Sequence, residues 1–429
     1  MKRGVWNKIQ KVLRFVLENK HSAFYREKFR PYGLDRVGNF RTMEDFFKLP
    51  LLRKDELLLC SPFERIFTDI KDIDLALNTS STSGKDPLIV FRRLRDEASF
   101  WELLLNYRKR FRFAMILQHS SPANRLYSRD YYGRGLPVFI GNPYKLEETA
   151  AIASRLRIDF IHTHAPILLS FIPFLKRYYD TENIKFIMLG GQITTAQHSM
   201  INKEFPKAVI ARLYGLAETG SIGLQCDLLI ANNGISTYHI SDNVFIEIIP
   251  VESGGMGEIV VTHLYLAPSL LVRYQTGDLG EILENKCACG LKSSLLRLGG
   301  RKNWDKITVG GFEINKENFL EIIKDFSAYV EEDFEAHFYQ HTQRDGGIIN
   351  EIRIKVISKL SKNSGITGDA LQRLLEDALN DGLHISNRFP FRELIQQRIF
   401  LPIRVELVDS LSKSKSEKIS STQRLVPHF

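Results

Sequence analysis

Four apolar runs, AMILQ (114–118), DFIHTH (159–164), KFIMLG (185–190) and AVIARLYG (208–215), are separated by longer segments of helical pattern. Short continuous apolar runs that alternate with helices are the signature of strands buried on both faces, so this stretch predicts a parallel α/β sheet. Beyond it the texture changes. YHISDNVFIEIIP (238–250), GEIVVTHL (257–264) and SLLVRYQTGDLGEIL (269–283) alternate apolar and polar residues with period two, which predicts antiparallel strands or a small β-barrel. After Arg301, ENFLEIIKDF (317–326) and GDALQRLLEDAL (368–379) read as helices, while EAHFYQ (335–340), NEIRIKVIS (350–358) and IRVELVD (403–409) read as strands. This third texture predicts a compact α+β unit, with a boundary near residue 302.

Working outward, the first twenty residues place Trp6, Ile9, Val12, Leu13, Val16 and Leu17 at helical spacing, but Lys8, Lys11, Arg14 and Glu18 interrupt any signal-peptide core. No apolar run approaches the ~18 residues of a membrane span. At ~150 residues per domain, 429 residues suggest two to three domains, and 44% hydrophobic with 25% charged residues is the mix of a soluble globular protein. The net charge of +9 favours anionic partners such as nucleotides, coenzymes or an acidic protein. Its positive charges are scattered among acidic ones, so nucleic acid is not expected as a partner, and neither is a membrane. Four cysteines are too few and too uneven for a disulfide scaffold, which points to a reducing, cytoplasmic setting.

Three stretches can carry phosphate or nucleotide chemistry. NTSSTSGKDP (78–87) clusters small hydroxyl residues with Gly84 and Lys85, a composition that turns N–H groups and hydroxyls toward phosphate oxygens; it is not a Walker loop, and an ordinary polar turn before the strand LIVF competes with that reading. LYGLAETGSIG (213–223) ends a predicted strand with Tyr214, Gly215, Glu218 and Thr219, where a ring can stack on a base and a carboxylate can hold a hard cation. A helix N-terminus with a spare acid is the alternative. RYQTGDLGEI (273–282) puts Asp278 in a turn between two strands, a carboxylate able to accept both hydroxyls of a ribose, or a plain turn aspartate.

In order along the chain, NTSSTSGKDP, YGLAETG, RYQTGD, LGGRKNWDKITVGG (298–311) and SEKIS (416–420) resemble the serial signatures of the adenylate-forming acyl/aryl-CoA synthetase superfamily. The short length and the openings SAFYREKF (22–29) and FFKLPLLRKDEL (46–57) are similar to its phenylacetate–CoA ligase branch. The resemblance covers nearly the whole chain. It implies an α/β fold with a large N-terminal ATP- and acid-binding domain over 1–302, built of parallel α/β sheets plus a β-rich subdomain. A small mobile α+β C-terminal domain over 303–429 would swing between an adenylating and a thioester-forming pose.

The implied activity is ATP-dependent activation of a carboxylic acid, aromatic by this branch, to an acyl-adenylate, followed by transfer to coenzyme A. A carrier-protein phosphopantetheine or an amine is the alternative acceptor, and a non-catalytic nucleotide- or acyl-binding module is the rival from another class; a homodimer is compatible with any of these. Carried over residue by residue, the resemblance implies that Ser80, Ser81, Thr82, Ser83, Gly84 and Lys85 wrap the β- and γ-phosphates. Gly190 and Gly191 let the adenine approach the backbone, Tyr214 with Gly215 stacks on it, and Asp278 and Arg301 hold the ribose. Thr219 contacts the α-phosphate, Glu218 binds Mg²⁺, and Lys418 is the mobile catalytic lysine, with Lys415 as second candidate and a solvated tail as the competing reading. Gly310 and Gly311 would line the acceptor tunnel in the second pose. The chemistry fits: a carboxylate attacking a repelling α-phosphate needs cations and N–H donors aimed at the charge that develops.

This chain departs from the pattern at Ser81, at Asp86 inserted before Pro87, at Gln192, and at Asn303 and Trp304 in place of hinge acids. Cys226, His239 (in YHISDN), Cys287 and Cys289 form a further set. Three thiolates and an imidazole suit a closed structural Zn²⁺ site, against the alternative of packed buried thiols, and Cys60 is left over.

Overall fold

The N-terminal face of the molecule is built by short helices that bury one stripe each. α1 (Arg3–Leu17) buries Ile9, Val12, Leu13, Val16 and Leu17 and leaves Lys8, Lys11 and Arg14 exposed. α2 (Phe24–Phe29), α3 (Met43–Phe47) and α4 (Lys54–Leu58) follow, with Thr42 closing a capping box on α3 through the Asp45 carboxylate. Their core is shared with the hairpin of β1 (Leu75–Asn78) and β2 (Ile89–Arg92) and with Leu270–Tyr274, onto which Tyr25 locks by donating to Leu270 O and accepting from Val272 N, both at 2.9 Å. The structure is a computed structural model. It describes residues 3–79, 87–93, 111–118, 136–191, 193, 195–226, 228–229, 234, 236–251, 256–284, 287–301, 306–309, 312–343, 348–360, 365–385, 389–411 and 423–427.

The four apolar runs become β3 (Ala114–Leu117), β5 (Phe160–His164), β6 (Phe186–Gly190) and β7 (Val209–Leu216), joined by the short β4 (Val138–Ile140) at the sheet edge. They pair in parallel in the order β4-β3-β5-β6-β7. Helices α5 (Leu146–Leu156), α6 (Ala165–Tyr178) and α7 (Thr195–Glu204) connect successive strands and pack on one face, against Met115, Leu117, Ile161, Ile187 and Leu189. The other face carries Ala114, Ile116, Phe160, Phe186 and Met188. Both faces being apolar is why these strands read as unbroken runs.

The period-two region continues this sheet as antiparallel strands. The first half of β7 pairs with β6, and its second half pairs antiparallel with β8 (Gly220–Leu224). From there β9 (Thr237–Ile240), β10 (Val244–Ile249), β11 (Gly257–His263), β12 (Tyr274–Leu283) and β13 (Leu295–Arg301) extend it to eleven strands, in the order β10-β11-β12-β13-β9-β8-β7-β6-β5-β3-β4. Here the buried Glu247–Arg273 pair, 2.8 Å apart, ties β10 to the residue before β12, and the same guanidinium reaches Phe47 O and Leu49 O.

The hairpin β14 (Lys306–Val309) and β15 (Phe312–Asn315) opens the last part of the chain. α8 (Lys316–Lys324) and α9 (Gly368–Gly382) cover β16 (Val330–Thr342) and β17 (Ile348–Ser358), followed by β18 (His384–Ile385), β19 (Phe389–Pro390), α10 (Phe391–Gln396), β20 (Arg404–Val408) and β21 (Gln423–Pro427). Four of these strands form a separate sheet, β20-β17-β16-β21, and its core runs from Val309 to Val405 without a buried member from the large sheet. Among the described residues no helix is long and apolar enough to cross a membrane.

Candidate functional site

The described candidate nucleotide residues lie on several strands of the large sheet, with Tyr214 and the Glu218 turn where it changes from parallel to antiparallel. Tyr214 lies on β7 and donates its hydroxyl to Asp278 Oδ2 at 2.9 Å, both side chains being buried. Asp278 is inside β12, not in a turn between strands: the irregularity is Gly277, at φ +74°, with a register shift one residue beyond Asp278. Its strand partner is Arg301 on β13, so the two residues expected to hold a ribose stand directly opposite each other. The sheet therefore assembles Tyr214, Asp278 and Arg301 from three strands.

Glu218 and Thr219 occupy the tight turn between β7 and β8, so the expected alternative of a helix N-terminus does not occur. The turn is close because Gly215 lacks a side chain; a Cβ there would stand 2.5 Å from Gly220 O. Three buried groups that sequence reasoning missed fasten this turn. Arg92, at the end of β2, donates to Ala217 O at 3.0 Å and to Glu218 O at 2.6 Å. Tyr274 donates its hydroxyl to Glu218 Oε1 at 2.8 Å. His263 accepts from Leu271 N at Nδ1 (3.2 Å), which leaves its Nε2–H to donate to Thr219 O at 3.0 Å. Burial, helped by the Arg92 charge, pushes the His263 pKa down to about 3, so this donor is a neutral imidazole. Thr219 is buried, with its hydroxyl engaged by Leu216 and Gly220 backbone groups. Arginine in a buried strand offers no sequence signal of such a role; the tyrosine and the histidine read equally well as core.

Gly190 ends β6 and Gly191 follows at φ +74°. The His164 ring lies against both, 3.2 and 3.0 Å from where their Cβ atoms would be, with Nδ1 3.1 Å from Gly190 O. Gly191 O accepts from the buried Arg212 at 2.9 Å, whose guanidinium lies 5.5 Å from the Tyr238 ring. The phosphate-loop residues Ser80 to Lys85, as well as Gln192, Asn303, Trp304, Gly310, Gly311, Lys415 and Lys418, lie outside the described residues. The described strands nevertheless frame two of these segments: 80–86 falls between the paired strands β1 and β2, and 412–422 between β20 and β21 of one sheet.

Cys226, His239, Cys287 and Cys289 come together, with their ligand atoms all within 4.8 Å. Cys226 follows β8, His239 sits on β9, and the other two lie in the connection from β12 to β13. Sγ of Cys226 is 3.6 Å from Sγ of Cys287 and 3.4 Å from His239 Nε2, and Cys289 Sγ is 3.4 Å from the same nitrogen. The edges of a tetrahedron around zinc are about 3.8 Å for S···S and about 3.6 Å for S···N at ordinary bond lengths, so the set fits such an ion. Ser293 Oγ, 2.9 Å from His239 Nδ1, orients the ring, and burial lowers the ring's pKa so that Nε2 keeps its lone pair.

The fold is that of the adenylate-forming enzymes. A 2-hydroxyisobutyryl-CoA ligase bound to 2-HIB-AMP and CoA in the thioesterification state matches 99% of this chain and 89% of its own, with a TM-score of 0.68 at 17% identity. Its open and post-adenylation structures give 0.58 and 0.60. An amide bond synthetase from Marinactinospora thermotolerans matches 82% of this chain and 68% of its own, with a TM-score of 0.55 at 16% identity. In sequence, the chain is similar to the phenylacetate-coenzyme A ligase of Thermus thermophilus, 24% identical over an alignment of 380 residues that covers 81% of this chain and 79% of that protein. No protein-family model matches it.

Proposed function

We propose that this protein activates a carboxylic acid, aromatic in its main class, with ATP to an acyl-adenylate, releases pyrophosphate and passes the acyl group to coenzyme A. The observation that carries the reading is the junction of Tyr214, Asp278 and Arg301 beside the fastened Glu218 turn. In this reading Tyr214 and Asp278 take the adenosine, Arg301 joins Asp278 at the ribose, and Glu218 holds Mg²⁺ against the phosphates. Residues 80–85 wrap the β- and γ-phosphates. Lys418 supplies charge to the attacked α-phosphate from the small domain, whose boundary we put at 302/303 because the core after it is self-contained. Withdrawal of that domain then frees the adenylate carbonyl for the thiol.

We assign the Cys226–His239–Cys287–Cys289 set to structural Zn²⁺. Four protein ligands leave no open position, so the ion would staple the β8, β9 and β12–β13 connections and take no part in the reaction.

The deciding experiment is acid-dependent exchange of labelled pyrophosphate into ATP with Mg²⁺, screened over aryl and aliphatic acids. Exchange with at least one acid, followed by thioester formation on adding coenzyme A, is expected. ATP binding without exchange on any acid would instead support a binding module.

A further inference from the structure

α7 begins at Thr195, just past Gly191, and its first turn carries the buried Gln197. Opposite stands the hairpin end of β16 and β17, which belong to the separate four-stranded sheet. Gln197 Nε2 donates to Gln340 Oε1 on β16, a contact between residues 143 apart in the chain. Beside it, helices α5, α6 and α7 and the turn Gln397–Ile399 face each other across an open cleft of about 1280 Å³. No close-packed seam joins the two parts at that cleft, so a directional polar contact can decide whether they stay together.

The direction of this hydrogen bond is fixed from within the sheet that carries Gln340. Asn350, buried on β17 and the register partner of Gln340, donates Nδ2 to Ile399 O at 2.8 Å. A carbonyl oxygen can only accept, so the other end of the Asn350 amide, Oδ1, is an acceptor, and Gln340 Nε2 donates to it at 2.9 Å. Gln340 Oε1 is then left facing α7 as an acceptor, and a donor must meet it. The backbone holds the same corner, with Asn350 N on Ile399 O at 3.0 Å and Leu401 N on Asn350 O at 2.7 Å. Three amides, Gln197, Gln340 and Asn350, thus form a polarised row that ends on a main-chain oxygen. No single member can be turned over without setting acceptor against acceptor.

We infer that Gln197 and Gln340 are positioning residues, a latch that holds the small domain docked on α7 in one of its two poses and so serves one half-reaction and not the other. This rests on the adenylation reading above and on the swing proposed there: a contact made in one pose must break in the other.

The test uses the full chain and measures the two half-reactions apart, with small-angle scattering of the same proteins as a readout that needs no chemistry. Gln197→Glu keeps the shape of the side chain but presents only acceptors to Gln340 Oε1. It should lower one half-reaction, pyrophosphate exchange or thioester formation from synthetic acyl-adenylate, by about tenfold, leave the other within about twofold, and enlarge the radius of gyration. Gln340→Lys added to it should restore both rate and dimensions, because an ammonium donates to Asn350 Oδ1 and to the new carboxylate at once. The step that falls names the pose this contact serves. Equal loss of both half-reactions, no change in either, or a loss that the second substitution leaves unrestored overturns the latch alone. No exchange with any acid overturns the adenylation reading. The latch is then judged by scattering: an enlargement in Gln197→Glu that Gln340→Lys reverses upholds it, and unchanged dimensions overturn it.

Discussion

Asp278 shows what a single residue's surroundings add to its type. In sequence it is one acid among many in a polar stretch; in the fold its carboxylate takes the Tyr214 hydroxyl, and Asp278 is the register partner of Arg301 on the adjacent strand. If it also accepts the ribose hydroxyls, Asp278→Ala removes charge-assisted hydrogen bonds of about 1.5–3 kcal/mol each, and ATP affinity should fall at least tenfold. Tyr214→Phe, which keeps the ring but removes the hydroxyl from the carboxylate, should cost less. Calorimetric titration with ATP measures both, and unchanged affinity in the Asp278 variant would remove it from the site. Three of the residues that escaped sequence reading, Arg92, His263 and His164, share one cause. Each acts through a backbone carbonyl elsewhere in the chain, Arg92 on a turn 125 to 126 residues away, and a carbonyl belongs to every residue type alike.

At the scale of elements, the cysteine and histidine set was legible because those side chains are rare and their chemistry is narrow. The strands brought them within tetrahedral range by pairing His239 on β9 with Leu224 on one side and Leu295 on the other. Protein purified without added zinc should carry about one Zn²⁺ per chain. Cys287→Ser combined with Cys289→Ser should abolish it and lower the thermal midpoint. Because the proposed ligands lie on β9 and in connections, and not on the strand positions of Tyr214, Asp278 and Arg301, ATP binding at low temperature should survive that loss. Metal analysis near zero for the wild type, or zinc retained in the double variant, would sink the assignment. The period-two region was expected as antiparallel strands or a small β-barrel, and the described strands pair antiparallel and extend the parallel sheet; period two reports only that strands alternate faces, so it could not choose between the two.

The core after residue 302 is self-contained, and the swing proposed for it would make the two half-reactions separable. Lys418→Ala should abolish pyrophosphate exchange yet leave thioester formation from synthetic acyl-adenylate near the wild-type rate. Equal loss in both steps would point to a static role, and an effect of Lys415→Ala in its place would shift the register by three residues. The fold also sets an acid limit. Burial drives His162 and His263 down to about 3, so as pH falls below the unfolded value near 6.5 the unfolded chain takes up protons that the native state refuses. Stability should be complete above that value and decline toward pH 3, by about 1.4 kcal/mol per pH unit for each histidine. Thermal midpoints across pH 7.5 to 4 measure it, and replacing His162 or His263 by a residue that cannot titrate should flatten the slope.

By itself the sequence determined the elements and their faces, because hydrophobic periodicity is a local property that each strand and helix carries whole. The ordered motifs likewise showed the class of fold, since they survive as short contiguous strings. Only the tertiary structure decided that the antiparallel strands extend the parallel sheet and that Asp278 meets Tyr214 and Arg301. Those facts depend on which strand lies beside which, and pairing is settled by the burial of whole faces against one another, a quantity no single segment contains.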